Sequence, residues 1–245
     1  MVIAIYVKTM TNHICKIYCW LLLRQKRTIS VINLSHHWLM IYAASWKCTL
    51  KLFMTNQAMH PAVKDIYSLF FERGMLAYGE AVTQTAHALQ CGTLAVQDDA
   101  STGLVIAAFL HDIGHMLHQD AASAVEQAQD DTHQILGAKW LARWFGPEVH
   151  EPVRLHVQAK RYLCHVQPDY LPKLSSLSKF TLQIQGGPMT NDEAKVFEKV
   201  PFFEESIRLR RWDDAGKLTA MNTLSIEHFM NLVETYLRTH NWVLR

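Results

Sequence analysis

The chain has 245 residues, 49% of them apolar and 19% charged, which excludes a disordered protein and is enough for one sizeable domain. Its net charge of +2 hides an asymmetry: residues 1–53 hold seven Lys and Arg and no acid, whereas all 22 acids lie beyond, against 17 bases. That acidic body has no basic excess to attract nucleic acid, and no run reaches the roughly 18 apolar residues of a membrane span.

Residues 1–53 also lack Gly and Pro, yet contain Trp20, Trp38 and Trp46, with no sustained helical or strand period. They read as an atypical leader: either upstream sequence read in frame before a start at Met54 or Met59, or a basic, aromatic-rich targeting or anchoring segment. The domain proper is expected over 54–245. Within it only Cys91 and Cys164 remain, without paired spacing, which points to a reducing compartment and a soluble, cytoplasmic protein.

Helical periodicity begins near Ala62. Helices are predicted over 62–72, 80–91, 102–116, 134–145 and 151–163, then over 174–182, 191–199, 204–215 and 225–239. Pro152 is expected in the first turn of the fifth helix. Gly186-Gly187-Pro188 breaks the chain, after which Asn191 or Asp192 is expected to cap the next helix. The fold class is all-α, a single helical bundle.

The chemistry gathers around LVIAAFLHDIGHMLH at 104–118. An apolar run carries His111 and Asp112 into the interior, where an unpaired carboxylate is costly and a bound cation relieves the cost. Adjacent residues on a helix diverge by about 100°, so the pair can address two metal ions with the carboxylate bridging. His87 lies 24 residues before His111, His133 and His156 lie 22 and 45 after it, and Asp213 follows much later. Each has an ordinary reading: His87 as a satisfied core histidine, His133 as a surface residue at a helix start, Asp213 and Asp214 as helix-face ion-pair partners. Together they make one metal cage. Histidine and carboxylate without thiolate favour iron or manganese over structural zinc. His115 and Lys160 stand four residues after His111 and His156, on the faces of those ligands if helical. They would set two cationic groups beside the metals, a suitable setting for a dianion. Alternatively His115 belongs to the core and Lys160 to a solvated helix face.

Over residues 64–217 the chain resembles the HD-domain superfamily, with His87, His111-Asp112 and Asp213 matching its H…HD…D core and His133 and His156 its six-ligand, dinuclear branch. The surrounding words resemble the phosphonate-degrading HD-domain oxygenases, relatives of myo-inositol oxygenase. They are GEAVTQTAHALQ at 79–90, HDIGH at 111–115, HVQAKRYLC at 156–164, LSKFTLQIQGGPM at 177–189 and RLRRWDD at 208–214. The resemblance implies a helical bundle around an Fe(II)/Fe(III) pair bridged by Asp112. His87, His111, His133, His156 and Asp213 supply the other ligands, with Asp214 as the alternative to Asp213. It implies O2-dependent cleavage of the C–P bond of a 1-hydroxyphosphonate, such as 2-amino-1-hydroxyethylphosphonate, to phosphate and glycine, after an upstream hydroxylase. His115, Lys160, Ser178, Thr181 and Gln185 would then hold the phosphonate, Glu80 would face the amino end, and Tyr78 would gate the site. Tyr78 stands two residues before Glu80, where the family pattern has three. The rival reading is a metal-dependent phosphohydrolase of nucleotides or phosphate esters, using a metal-bound hydroxide. A third is a metal-stabilised binding domain without turnover. No GxGxxG is present to bind a dinucleotide.

Overall fold

A computed structural model of the protein describes residues 59–77, 81–117 and 132–240. The predicted leader therefore lies outside the described residues, as do Tyr78 and Glu80. Every regular element among the described residues is a helix. They are α1 (Pro61–Arg73), α2 (Gln84–Gln97), α3 (Thr102–Leu110), α4 (Ile113–Leu117), α5 (His133–Leu141), α6 (Pro147–Val166), α7 (Tyr170–Lys173), α8 (Ser176–Ile184), α9 (Asn191–Phe197), α10 (Phe203–Ala215) and α11 (Ile226–His240). None is long and apolar enough to cross a membrane.

The centre is α3. Ser101 caps it by accepting from the Leu104 N–H, and every residue from Gly103 to Leu110 is buried. A helix apolar all round can only lie inside other helices, and α3 packs against α2, α6, α10 and α11. Phe109 sits between Phe70 of α1 and Phe229 of α11, with ring centroids 5.1 and 4.8 Å away. Truncating such a ring costs about 3–5 kcal/mol. The long α6 is amphipathic and buries Val149, Val153, Leu155, Val157 and Leu163. It packs against α3, α5, α9 and α10, with Leu155 and Leu163 joining Met189, Ala194 and Phe197 in one apolar cluster.

The boundaries correct several expectations. The helix predicted over 102–116 ends at Leu110, and His111-Asp112 form a turn before α4. The apolar pattern runs unbroken across this turn because both sides of it are buried. The fifth predicted helix starts one turn early, with Pro147 in the first turn, so Pro152 lies inside α6. The helix predicted over 174–182 instead runs from Ser176 to Ile184 as α8, capped by the Ser175 side chain, and the short α7 precedes it. Thr190, not Asn191 or Asp192, caps α9, in a reciprocal box with Glu193 that satisfies two N–H groups at once.

Candidate metal centre

Five helical elements converge on one point. α2 brings His87, the end of α3 brings His111 and the following turn Asp112, α5 opens on His133, α6 carries His156 and α10 carries Asp213. His111 is completely enclosed, and His87, His133, His156 and Asp213 are buried. Two glycines make the approach possible. A Cβ on Gly114 would stand 2.0 Å from the His133 carbonyl oxygen, so only glycine lets α4 touch the start of α5. A Cβ on Gly216 would meet Cys91 Sγ at 2.6 Å.

The donor atoms face inward. His87 Nδ1 lies 2.8 Å from the Gly216 carbonyl, His111 Nδ1 2.9 Å from that of Ala108 and His156 Nδ1 2.7 Å from that of Val153. A carbonyl only accepts, so each Nδ1 carries the proton and each Nε2 presents a lone pair to the middle. His87 Nε2 and His111 Nε2 are 3.3 Å apart, and His133 Nε2 and His156 Nε2 are 3.1 Å apart. Two ring nitrogens at such a distance repel unless a proton or a metal cation lies between them. Neighbouring ligands of one ion, each about 2.0–2.1 Å from it, stand about this far apart.

The carboxylates complete two groups. Asp213 Oδ1 is 3.2 Å from His87 Nε2 and 3.9 Å from His111 Nε2. Asp112 reaches both sides: Oδ2 lies 3.5 Å from His87 Nε2, and Oδ1 lies 3.4, 3.6 and 3.9 Å from the Nε2 atoms of His111, His133 and His156. Asp214 turns away to Tyr170 and Arg210, so of the two adjacent acids only Asp213 joins the histidines. Among the described residues, His87, Cys91 and His111 form one set of close donors, and Asp112, His133 and His156 another.

Electrostatics agree with this donor set. Burial alone would hold His111 neutral, yet Asp112 and Asp213 outweigh it and lift the imidazole to about 9. Burial likewise opposes charge on His87, and Cys91 and Asp213 reverse its direction. Burial would raise both carboxyls, but the histidines hold Asp112, and Arg210 with Lys217 hold Asp213, below the usual range. A buried and a partly buried anion thus demand positive charge where the imidazole nitrogens meet. That demand fits a metal cation.

Of the predicted anion-binding residues, Lys160, Thr181 and Ser178 gather at the side of Asp213. Lys160 is buried, and its Nζ donates to Thr181 Oγ1 at 2.9 Å. Ser178 Oγ accepts from Lys217 Nζ at 3.1 Å and lies 3.5 Å from Arg210 Nη2. The solvated reading of Lys160 is therefore wrong. The His115 ring stacks on His133 with centroids 4.0 Å apart, against the centre. Gln185 caps the end of α8, and its Oε1 is buried with no hydrogen-bond partner among the described residues.

Cys91, Tyr170, Arg210 and Lys217 were not anticipated. Arg210 and Lys217 stand three before and four after Asp213, the spacing at which helical neighbours pair, so the signal was present. Cys91, four after His87, is similar: its Sγ lies 3.7 Å from His87 Nδ1. Tyr170 reaches Asp214 across 44 residues, and no local pattern reveals that.

Known proteins supply the remaining context. The HD domain model matches residues 85–175. Hydroxymethylphosphonate dioxygenase of Gimesia maris is 40% identical over 178 residues, 71% of this chain and 88% of its own length. The [1-hydroxy-2-(trimethylamino)ethyl]phosphonate dioxygenase (glycine-betaine-forming) of Leisingera caerulea is 37% identical over 179 residues, 73% of this chain and 91% of its own. An uncharacterized protein of Acanthamoeba polyphaga mimivirus is 32% identical over 178 residues, 71% of this chain and 81% of its own.

Proposed function

Since this chain belongs to the HD-domain phosphonate oxygenases, we propose that it oxidatively cleaves the C–P bond of a 1-hydroxyphosphonate. The balance is one hydroxyphosphonate and one O2 giving one carboxylate, one phosphate and a proton. Both products gain one oxygen atom. With 2-amino-1-hydroxyethylphosphonate the carboxylate is glycine.

One observation carries the reading: a histidine–carboxylate centre adjoins a cluster of cations, Lys160, Arg210 and Lys217, through a shared residue, Asp213. Arg210 Nη1 lies 2.7 Å and Lys217 Nζ 3.7 Å from its carboxylate. We assign His87, His111, His133, His156, Asp112 and Asp213 as the residues that would hold two iron ions. Bound there, an Fe(II)/Fe(III) pair supplies the Lewis acidity, the template and the electrons for reaction with O2.

The protein's residues do the rest. Lys160, Thr181 and Ser178, with His115 beside His133, receive the phosphonate oxygens and set C1 over the centre. Charge-assisted hydrogen bonds of this kind contribute about 1.5–3 kcal/mol each. Enclosure of the histidines excludes water and stray reductants. Glu80 and Tyr78 lie outside the described residues, and the family pattern gives them the group beyond C1 and the gate. The substrate requires an upstream hydroxylase acting on the parent phosphonate, and the two isolated cysteines beyond residue 53 support a cytoplasmic reaction.

The test is phosphate release by anaerobically iron-loaded protein from hydroxymethylphosphonate, 2-amino-1-hydroxyethylphosphonate and its trimethylated analogue, with and without O2. We expect O2-dependent phosphate with an equal amount of carboxylate. Hydrolysis of nucleotides or phosphate esters without O2, and no release from any phosphonate, would overturn the proposal.

A further inference from the structure

Arg210 of α10 is almost completely buried and sits between two adjacent carboxylates, Asp213 and Asp214. Its contacts are divided. Nη1 takes Asp213 Oδ2 at 2.7 Å, while Nη2 bonds Asp214 Oδ1 and Nε lies 3.3 Å from Asp214 Oδ2. Tyr170 of α7 then closes the arrangement: its hydroxyl donates to Asp214 and stands 3.2 Å from Arg210 Nε. A guanidinium prefers to grip one carboxylate with two parallel N–H groups. Here Asp214 receives that grip and Asp213 a single contact, on the oxygen that does not face His87.

Resting on the metal-centre reading above, we propose that Tyr170 and Asp214 are positioning residues that keep the Arg210 fork off Asp213, so that Asp213 Oδ1 stays available to the metal. Without Asp214 the fork is free to rotate onto Asp213 and engage both of its oxygens. A stabilising ion pair then becomes a competitor of the cation. Tyr170 orients Asp214 from a separate helix, so its loss loosens the grip without removing a charge.

The arrangement separates two functions that a single Asp–Arg pair would confuse. Asp214 balances the arginine, and Asp213 serves the centre. The Tyr170 hydroxyl and the Asp214 carboxylate bond to each other and to the Nε and Nη2 edge of Arg210, while Nη1 meets Asp213.

The test uses the full chain and cobalt(II) as a spectroscopic probe, titrated anaerobically into metal-free wild type, Asp214→Asn, Asp214→Glu and Tyr170→Phe. Melting of each metal-free protein is measured in parallel. Partners of ligand residues typically alter metal affinity 10–100-fold. We expect Asp214→Asn to weaken cobalt binding by about that factor, Tyr170→Phe to weaken it less, and Asp214→Glu to restore most of it. The metal-free melting temperatures should stay close together. Wild-type affinity in both Asp214→Asn and Tyr170→Phe would overturn the inference and leave the centre intact. So would losses that merely follow a lowered melting temperature. A wild type that binds no cobalt would overturn the centre itself, and the inference with it. Tyr170→Phe keeps shape and charge, so it carries the test if Asp214→Asn fails to fold.

Discussion

Gly114 touches the backbone of His133 so closely that a β-carbon there would lie 2.0 Å from the His133 carbonyl oxygen and 2.7 Å from its carbonyl carbon. The obstacle is main chain, which no rotamer change can relieve. Gly114→Ala should therefore cost about 2–3 kcal/mol, the upper part of the range for overpacking, and displace His133 from Asp112. Thermal unfolding and metal content, measured together, check it. A variant that melts like wild type with full metal would show that α4 and α5 can separate without consequence.

Asp112 and Asp213 should differ when each is neutralised. Asp112 lies within 3.9 Å of all four histidine Nε2 atoms, whereas Asp213 reaches only His87 and His111. We expect Asp213→Asn to retain one ion, at His133 and His156, and Asp112→Asn to retain less. Anaerobic iron loading followed by elemental analysis gives the stoichiometry. Equal loss from both variants would contradict a bridging Asp112.

Removing metal should also lower stability. An ion present at about 100 times its dissociation constant adds roughly 2.7 kcal/mol to the folded state. For a domain of this size, that corresponds to a fall in melting temperature on the order of 5–10 °C on chelation. The shift should shrink in His111→Ala, which leaves the donors Asp112, His133 and His156 in place.

Lys160 governs the expected pH dependence. Burial, then the nearby Arg210, push its ammonium down from 10.5 to about 7. The cation that attracts a phosphonate is lost as pH rises through that value, so kcat/KM should fall above about pH 7. Lys160→Arg should remove that limb, because a guanidinium stays charged. Lys160→Met should lower kcat/KM roughly 10- to 100-fold at neutral pH. Stability runs the other way. Between about 7 and 10.5 the unfolded lysine holds a proton that the folded one has released, so stability rises with pH across that window. A profile unchanged by Lys160→Arg would remove Lys160 from substrate binding.

Much of the centre was legible because histidines and aspartates stood out inside apolar runs. His111, after the apolar run at 105–110, has no ordinary surface reading, and the polar run Asp130-Asp131-Thr132 put His133 at a helix start, where the structure has it. Asp213 could not be told from Asp214 until α10 placed one toward His87 and the other toward Tyr170. The turn at His111-Asp112 was hidden, since burial on every side erases the period that marks a helix end. Thr190 was missed because Asn191 and Asp192 are equally good caps on composition; only the reciprocal bond with Glu193 decides among them.

The close of α10 has a consequence for how this protein can change. That helix presents Asp213, ends at Ala215, and the next carbonyl, that of Gly216, fixes the ring of His87 129 residues away. The Leu218 N–H then bonds Gln90 Oε1 on the same helix as His87. A short stretch that looks like an ordinary connection is thus tied to two of the six donors at once. Lengthening or shortening it by one residue would put both out of register together, whereas the run at 219–222 leads only toward α11. Diversification by loop exchange is closed at 216–218 and open a few positions later.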